Sequence, residues 1–82
     1  MELKETVDLM MSDNRKERLK AEYWQTKNRF EKLNAYIAKL NAGGEAEVDD
    51  SIEVLQAQSN AMNDYLYFLE VRMKMYGFIV AD

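Results

Sequence analysis

Apolar residues recur along two stretches of this chain with helical spacing. Between Arg15 and Asn41, the residues Leu19, Tyr23, Thr26, Phe30, Leu33, Ile37 and Leu40 follow one another in a strict alternation of four and three. That step keeps every side chain on one face of an α-helix. Nearly four repeats of it, with no Pro or Gly between, predict a long helix that pairs with another along its length. At ~1.5 Å per residue such a helix is roughly 40 Å long. From Ile52 to Tyr76 the same alternation runs through Ile52, Leu55, Ser59, Met62, Leu66, Leu69, Met73 and Tyr76. A second stripe on this stretch, Val54, Gln58, Ala61, Tyr65, Phe68, Arg72 and Met75, keeps the spacing with polar interruptions. A helix with two stripes needs two partners. The first helix is one, and the second is expected to be another copy of the chain.

The residues between these stretches punctuate them. Ser12, Asp13 and Asn14 are capping types, and Asn14 with Glu17 three residues on has the form of a capping box. Asn41 to Gly44 ends the first long helix, with a Gly available for the left-handed cap position. An acidic connector over 45–50 follows, and Asp50 with Glu53 is expected to cap the second helix. Gly77 closes that helix, and Phe78, Ile79 and Val80 predict a short extended tail. Ahead of it all, Glu2 to Met11 reads as a short helical arm with Leu3, Val7 and Met10 at helical spacing, too short to be stable unless docked. Of the neighbours Tyr65 and Tyr67, only one can face a given partner, and Tyr65 is expected inside. The fold class is therefore all-α: one domain over 1–82, an antiparallel hairpin of two long helices (13–42 and 50–76) with an N-terminal arm (1–11) and a C-terminal tail (77–82), assembled as a homo-oligomeric helical bundle.

Composition narrows the chemistry. With 82 residues the hairpin buries little core of its own, which again favours self-association. The chain has no Cys and no His, so within one chain disulfides, thiolate or imidazole zinc sites and imidazole-based triads are excluded. No apolar run is long enough to span a bilayer, so no membrane partner is expected and the chain reads as cytosolic. Net charge is −4 but unevenly spread. Residues 12–40 carry eight basic and four acidic side chains (+4), residues 41–82 two and eight (−6), and residues 1–11 the remaining −2. A basic helix beside an acidic one attracts it along the hairpin; alternatively, the basic helix meets an anionic ligand.

Trp24 draws attention because it lies off the seam, one position beyond Tyr23, with Lys20 and Lys27 one turn away on either side and Asn28 near them. An aromatic ring between ammonium groups suits a nucleotide, whose base stacks and whose phosphates need cations. The plainer reading buries Trp24 in a subunit contact or under the N-terminal arm. Arg15, Arg18, Arg29 and Lys32 extend positive charge on neighbouring faces, either solvated or available to phosphate oxygens. Gln56, Gln58, Asn60 and Asn63 lie between or beside the stripes of the second helix, where amides fix register or read a base edge. If Arg72 is buried in its stripe, it needs an acidic partner or an anion. Duplex nucleic acid is not expected, given the acidic second helix and the absence of a recognised binding motif. Glu22, Glu31, Asp64 and Glu70 are the carboxylates available for acid–base or metal work. With no Glu-x-x-His element and no Gly-rich phosphate loop, neither catalysis nor a metal or cofactor is expected.

The run Arg18-Leu19-Lys20-Ala21-Glu22-Tyr23-Trp24-Gln25, continued by Arg29-Phe30-Glu31-Lys32-Leu33 and then by Leu55, Gln56, Met62, Tyr65, Leu66, Leu69, Glu70, Arg72 and Gly77, resembles a family of small all-helical accessory proteins of crAss-like and Firmicutes phages, among them Sequestin-like sponges. The resemblance covers about two thirds of the chain. It departs in the Gly-Gly-Glu linker with its acidic continuation and in the Met-rich segment after Glu70. It implies a phage anti-defence protein in the host cytoplasm, a homo-oligomer that sequesters a nucleotide-derived immune signal, a cyclic dinucleotide or an ADP-ribose derivative, without cleaving it. The site implied lies at a subunit interface and uses Arg18, Tyr23, Trp24, Lys27 and Arg29, with Lys20, Tyr65 and Arg72 as further ligand-binding candidates. The alternative is a helical interaction module that blocks a host protein or serves a structural role in the phage.

Overall fold

The computed structural model describes residues 1–44 and 51–77. They form three α-helices, α1 (Leu3–Met10), α2 (Arg15–Asn41) and α3 (Ile52–Met75), and no β-strand among the described residues. The acidic connector and the expected extended tail over 78–80 lie outside the described residues.

Each long helix is bounded by local hydrogen bonding. Asn14 caps α2, its Oδ1 accepting from the Lys16 N–H at 2.8 Å. Arg18 Nη1 donates to the Ser12 carbonyl at 2.9 Å, tying the turn from α1 to the first turn of α2. At the other end the Gly43 N–H donates to the Leu40 carbonyl and the Gly44 N–H to the Lys39 carbonyl, the paired closure of a Schellman motif. Gly43 has φ +91°, a conformation that costs a side-chain-bearing residue strain. α3 is capped by Ser51 rather than by Asp50, which lies outside the described residues. The Ser51 hydroxyl oxygen accepts from the Val54 N–H at 3.4 Å and donates to Glu53 Oε2 at 2.8 Å. The Glu53 carboxyl is held below its ordinary pKa by a hydrogen bond to its own backbone N–H and by the Ser51 hydroxyl.

α2 and α3 run antiparallel, with Tyr23 beside Glu70 at one end and Asn34 beside Ser59 nearer the other. Their seams meet as the periodicity requires. Leu19 and Tyr23 from α2 pack with Leu66, Leu69 and Met73 from α3, and Trp24, Phe30 and Tyr76 close around that core. Burying such side chains contributes on the order of 1.5–3 kcal/mol each. Ser59 occupies a seam position at little cost because its hydroxyl donates to Asn34 Oδ1 at 2.6 Å. The amide that fixes register at the seam thus comes from α2, while Gln56 and Asn60 of α3 bond each other at an exposed face.

α1 docks on α2, as a helix this short must, but not through its apolar line. Leu3, Val7 and Met10 are exposed, and the face turned to α2 carries Thr6, which is fully buried. A hydrogen-bond ladder decides the orientation. Gln25 Nε2 donates to Thr6 Oγ1 at 3.0 Å and to Met10 Sδ, Asn28 Nδ2 donates to the Met1 carbonyl at 3.1 Å, and Ala21 leaves room for close approach. Residues 21, 25 and 28 lie on the face of α2 opposite the seam, so α2 is the middle layer, with α1 on one side and α3 on the other. Tyr65, expected inside, is exposed on α3, as is Tyr67.

Leu69, with no exposed surface, is the centre of the seam. Leu69→Ala is expected to destabilise the hairpin by about 2–5 kcal/mol, read as a drop in melting temperature and in denaturant midpoint by circular dichroism.

Candidate functional site

The seam between α2 and α3 leaves a cleft on one side. Lys27 of α2 forms one wall, and Asn63, Leu66, Tyr67 and Glu70 of α3 form the rest, around a volume of about 200 Å³. The α3 residues fall at i, i+3, i+4 and i+7, one helical face adjoining the buried stripe. The cleft therefore has an apolar floor in Leu66 and polar groups of four kinds around it: an ammonium, an amide, a phenol and a carboxylate.

Glu70 joins the cleft to the core. The hydroxyl of Tyr23, a residue only 3% exposed, donates to Glu70 Oε1 at 3.0 Å. Burial, with the hydrogen bond and the negative charges of Glu70 and Glu31 adding to it, pushes the Tyr23 pKa up to about 12. Tyr23 also meets Trp24 edge to face, with ring centroids 5.1 Å apart. Trp24 is half-buried against the core, and its Nε1 is buried with no acceptor among the described residues. An unmet buried donor costs roughly 1–3 kcal/mol, which an acceptor arriving from outside the chain would recover. Lys27 is half-buried with its Nζ 5.8 Å from the Phe30 ring centroid, a cation–π distance, and no carboxylate among the described residues is within ion-pair range of it.

The residues singled out from the sequence therefore divide into three groups. Tyr23, Trp24 and Lys27 share one region, with Lys20 half-buried on the same side of α2. Arg18 is exposed and engaged with the Ser12 carbonyl; Arg29, two residues beyond Lys27, projects about 200° round the helix from it. Tyr65 and Arg72 are exposed on the flank of the α3 seam opposite the cleft, so Arg72 needs no buried counter-charge. Within one chain these last four do not reach the cleft. Asn63, Tyr67 and Glu70 complete it, and the signal for them was their own helical spacing beside a seam, not any motif. Among the described residues no cluster of three or more acidic side chains is placed to hold a metal ion, and no helix is long and apolar enough to cross a membrane.

The described residues thus form a helical hairpin with a small, mixed-polarity cleft on its seam. The family model described as Sequestin matches residues 13–75, from the cap of α2 to the last turn of α3, and the chain belongs to that family. The matched span takes in both walls of the cleft and leaves out α1. No curated protein and no solved structure matches the chain.

The Tyr23–Glu70 pair makes a pH prediction. Because the Tyr23 pKa is raised in the folded state, the native chain holds that proton more tightly than the unfolded chain. Its stabilisation is complete below about pH 10, where unfolded tyrosine titrates, and is lost as pH rises towards 12. Tyr23→Phe is expected to flatten that alkaline decline and to cost about 0.5–1.5 kcal/mol near pH 7, checked by denaturant melts across pH 8–12.

Proposed function

We propose that this chain is a phage anti-defence protein that binds and sequesters a nucleotide-derived immune signal, a cyclic dinucleotide or an ADP-ribose derivative, in the host cytoplasm and releases it uncleaved. The observation that carries the reading is the Lys27 cation, with no ion pair among the described residues, on a cleft whose carboxylate is held by the Tyr23 hydroxyl. A phosphate needs the cation, a base needs an aromatic or apolar surface, and a ribose hydroxyl or base amine needs acceptors such as Glu70 and Asn63. The family's name, Sequestin, denotes capture of a molecule and agrees with a binding role.

Size decides how much of the ligand one chain takes. Ligand sites usually enclose about 300–1,000 Å³. A cleft of about 200 Å³ accommodates a base or a ribose with one phosphate, and the remainder of a two-nucleotide ligand extends beyond it. A second reading, a module that blocks a host protein, draws support from the exposed Leu3, Val7 and Met10 on α1.

The test is a thermal-shift screen against cyclic dinucleotides, cyclic ADP-ribose isomers and ADP-ribose conjugates. A ligand at 100 times its Kd stabilises the native state by about 2.7 kcal/mol, a shift of several degrees. Lys27→Ala is expected to weaken that ligand roughly ten-fold or more, about 1.4 kcal/mol, with Arg29→Ala as the control that leaves it unchanged. The bound ligand is expected back intact on chromatography after denaturation. Stabilisation by none of these nucleotides, with a host protein retained instead, would sink the sponge reading in favour of the blocking module.

A further inference from the structure

The cleft brings together two opposite charges that do not pair with each other. Lys27 and Glu70 both line it, and the remaining lining residues, Asn63, Leu66 and Tyr67, add no formal charge, so the wall sums to zero. Glu70 is held in place rather than free to swing aside. Its Oε1 accepts from the Tyr23 hydroxyl at 3.0 Å, and Tyr23 is buried in the core. Burial, with the hydrogen bond and the charges of Glu70 and Glu31 adding to it, pushes the Tyr23 pKa up to about 12, so this phenol remains a donor at physiological pH. The carboxylate therefore stays beside the cleft, and its negative field falls on whatever Lys27 binds.

We infer that Glu70 sets the specificity of the cleft by rejecting nucleotides that end in a free phosphate, leaving those whose phosphates are bridged on both sides. The inference rests on the nucleotide-binding reading above and names the feature of the ligand that the site selects. Charge separates the two kinds of ligand. A terminal phosphate carries about −1.5 to −2 at pH 7, whereas a bridged phosphate carries a single negative charge. In a cleft of about 200 Å³, a group bound to Lys27 lies close to Glu70. A terminal phosphate there sets charge that Lys27 does not neutralise against the carboxylate, and like charges in one site are strongly disfavoured. A bridged phosphate has its charge met by Lys27, and the sugar attached to it offers hydroxyl donors to Glu70. A neutral amide at position 70 would accept the same hydrogen bonds without the repulsion, so the carboxylate is informative about what is kept out. Cyclic dinucleotides and ADP-ribose derivatives share bridged phosphates, while ATP and ADP, which cells hold in large amounts, end in free ones. A sponge without such a filter would be occupied by them.

Two ligand pairs isolate the terminal phosphate. ADP-ribose is ADP with its outer phosphate capped by a sugar, and cyclic di-AMP becomes, on ring opening, a linear dinucleotide with a free 5′ phosphate. Isothermal titration of the intact chain is expected to show the capped or cyclic member binding at least roughly ten-fold more tightly than its open partner. Glu70→Gln, whose amide oxygen still accepts from the Tyr23 hydroxyl, is expected to bring that ratio near unity by strengthening the open partner. Asp8→Asn, which removes the same charge from the exposed surface of α1, is expected to leave the ratio as it is. Equal affinities within a pair in the wild-type chain would overturn the inference however the variant behaves, and so would a ratio that survives Glu70→Gln. Binding of none of the four nucleotides, by wild type or variant, would instead remove the nucleotide site itself and the inference with it.

Discussion

The hydrogen bond from the Tyr23 hydroxyl to Glu70 is the point on which fold and cleft both depend. Its donor ring is part of the buried core with Leu19, Leu66, Leu69 and Met73, and its acceptor lines the cleft with Lys27. A phenol at that depth needs a partner, and a carboxylate is a strong acceptor that is costly to leave unmet. The pair therefore fixes the register of α3 against α2 at one end, as Ser59 with Asn34 does nearer the other. It also determines the direction in which Glu70 faces and gives Trp24 a fixed edge to pack against. Packing alone would tolerate a sliding hairpin; two polar ties at different depths along the seam penalise a slide by leaving buried groups unpaired.

Much of this was legible in the spacing of apolar residues. The alternation of four and three marks which positions of α2 and α3 meet, and Leu19, Tyr23, Ile37, Leu66, Leu69 and Met73 are buried where it places them. The spacing marked α1 as a helix without giving the face by which it docks, and the physical reason is instructive. Leu3, Val7 and Met10 have the right period, but burial of a short helix on α2 follows the polar ladder from Gln25 and Asn28, and that ladder selects Thr6. Hydrophobic pattern predicts a docking face only where apolar contact outweighs hydrogen bonding. The same limit applies to the second α3 stripe, which has the pattern of a seam and, among the described residues, no second helix of its own chain to meet.

The candidate site was legible in part for a related reason. Lys27, Tyr23 and Trp24 are close in sequence, so residue types and helical spacing were enough to associate them. Asn63, Tyr67 and Glu70 reach Lys27 only through the pairing of α2 with α3, a relation fixed by the hairpin register. Arg18 and Arg29 show the reverse relation. Both lie within the same basic run as Lys27, yet 100° of rotation per residue places Arg29 on another face, and Arg18 is engaged in holding the turn before α2. Sequence proximity on a helix implies shared chemistry only at intervals of three, four and seven.

The distribution of apolar surface follows from building three layers with the longest helix in the middle. α2 is covered on two opposite sides, whereas α1 and α3 are each covered on one, so apolar residues on their outer faces remain in water. A chain of this size has little core with which to offset that exposure. The cleft lies on the opposite edge of α3, where Asn63, Tyr67 and Glu70 sit beside the seam. The two faces of α3 then divide the work. Residues at 63, 66, 67 and 70 line the cleft, residues at 54, 61, 65, 68 and 75 are exposed on the other flank, and the buried stripe between them holds both to α2.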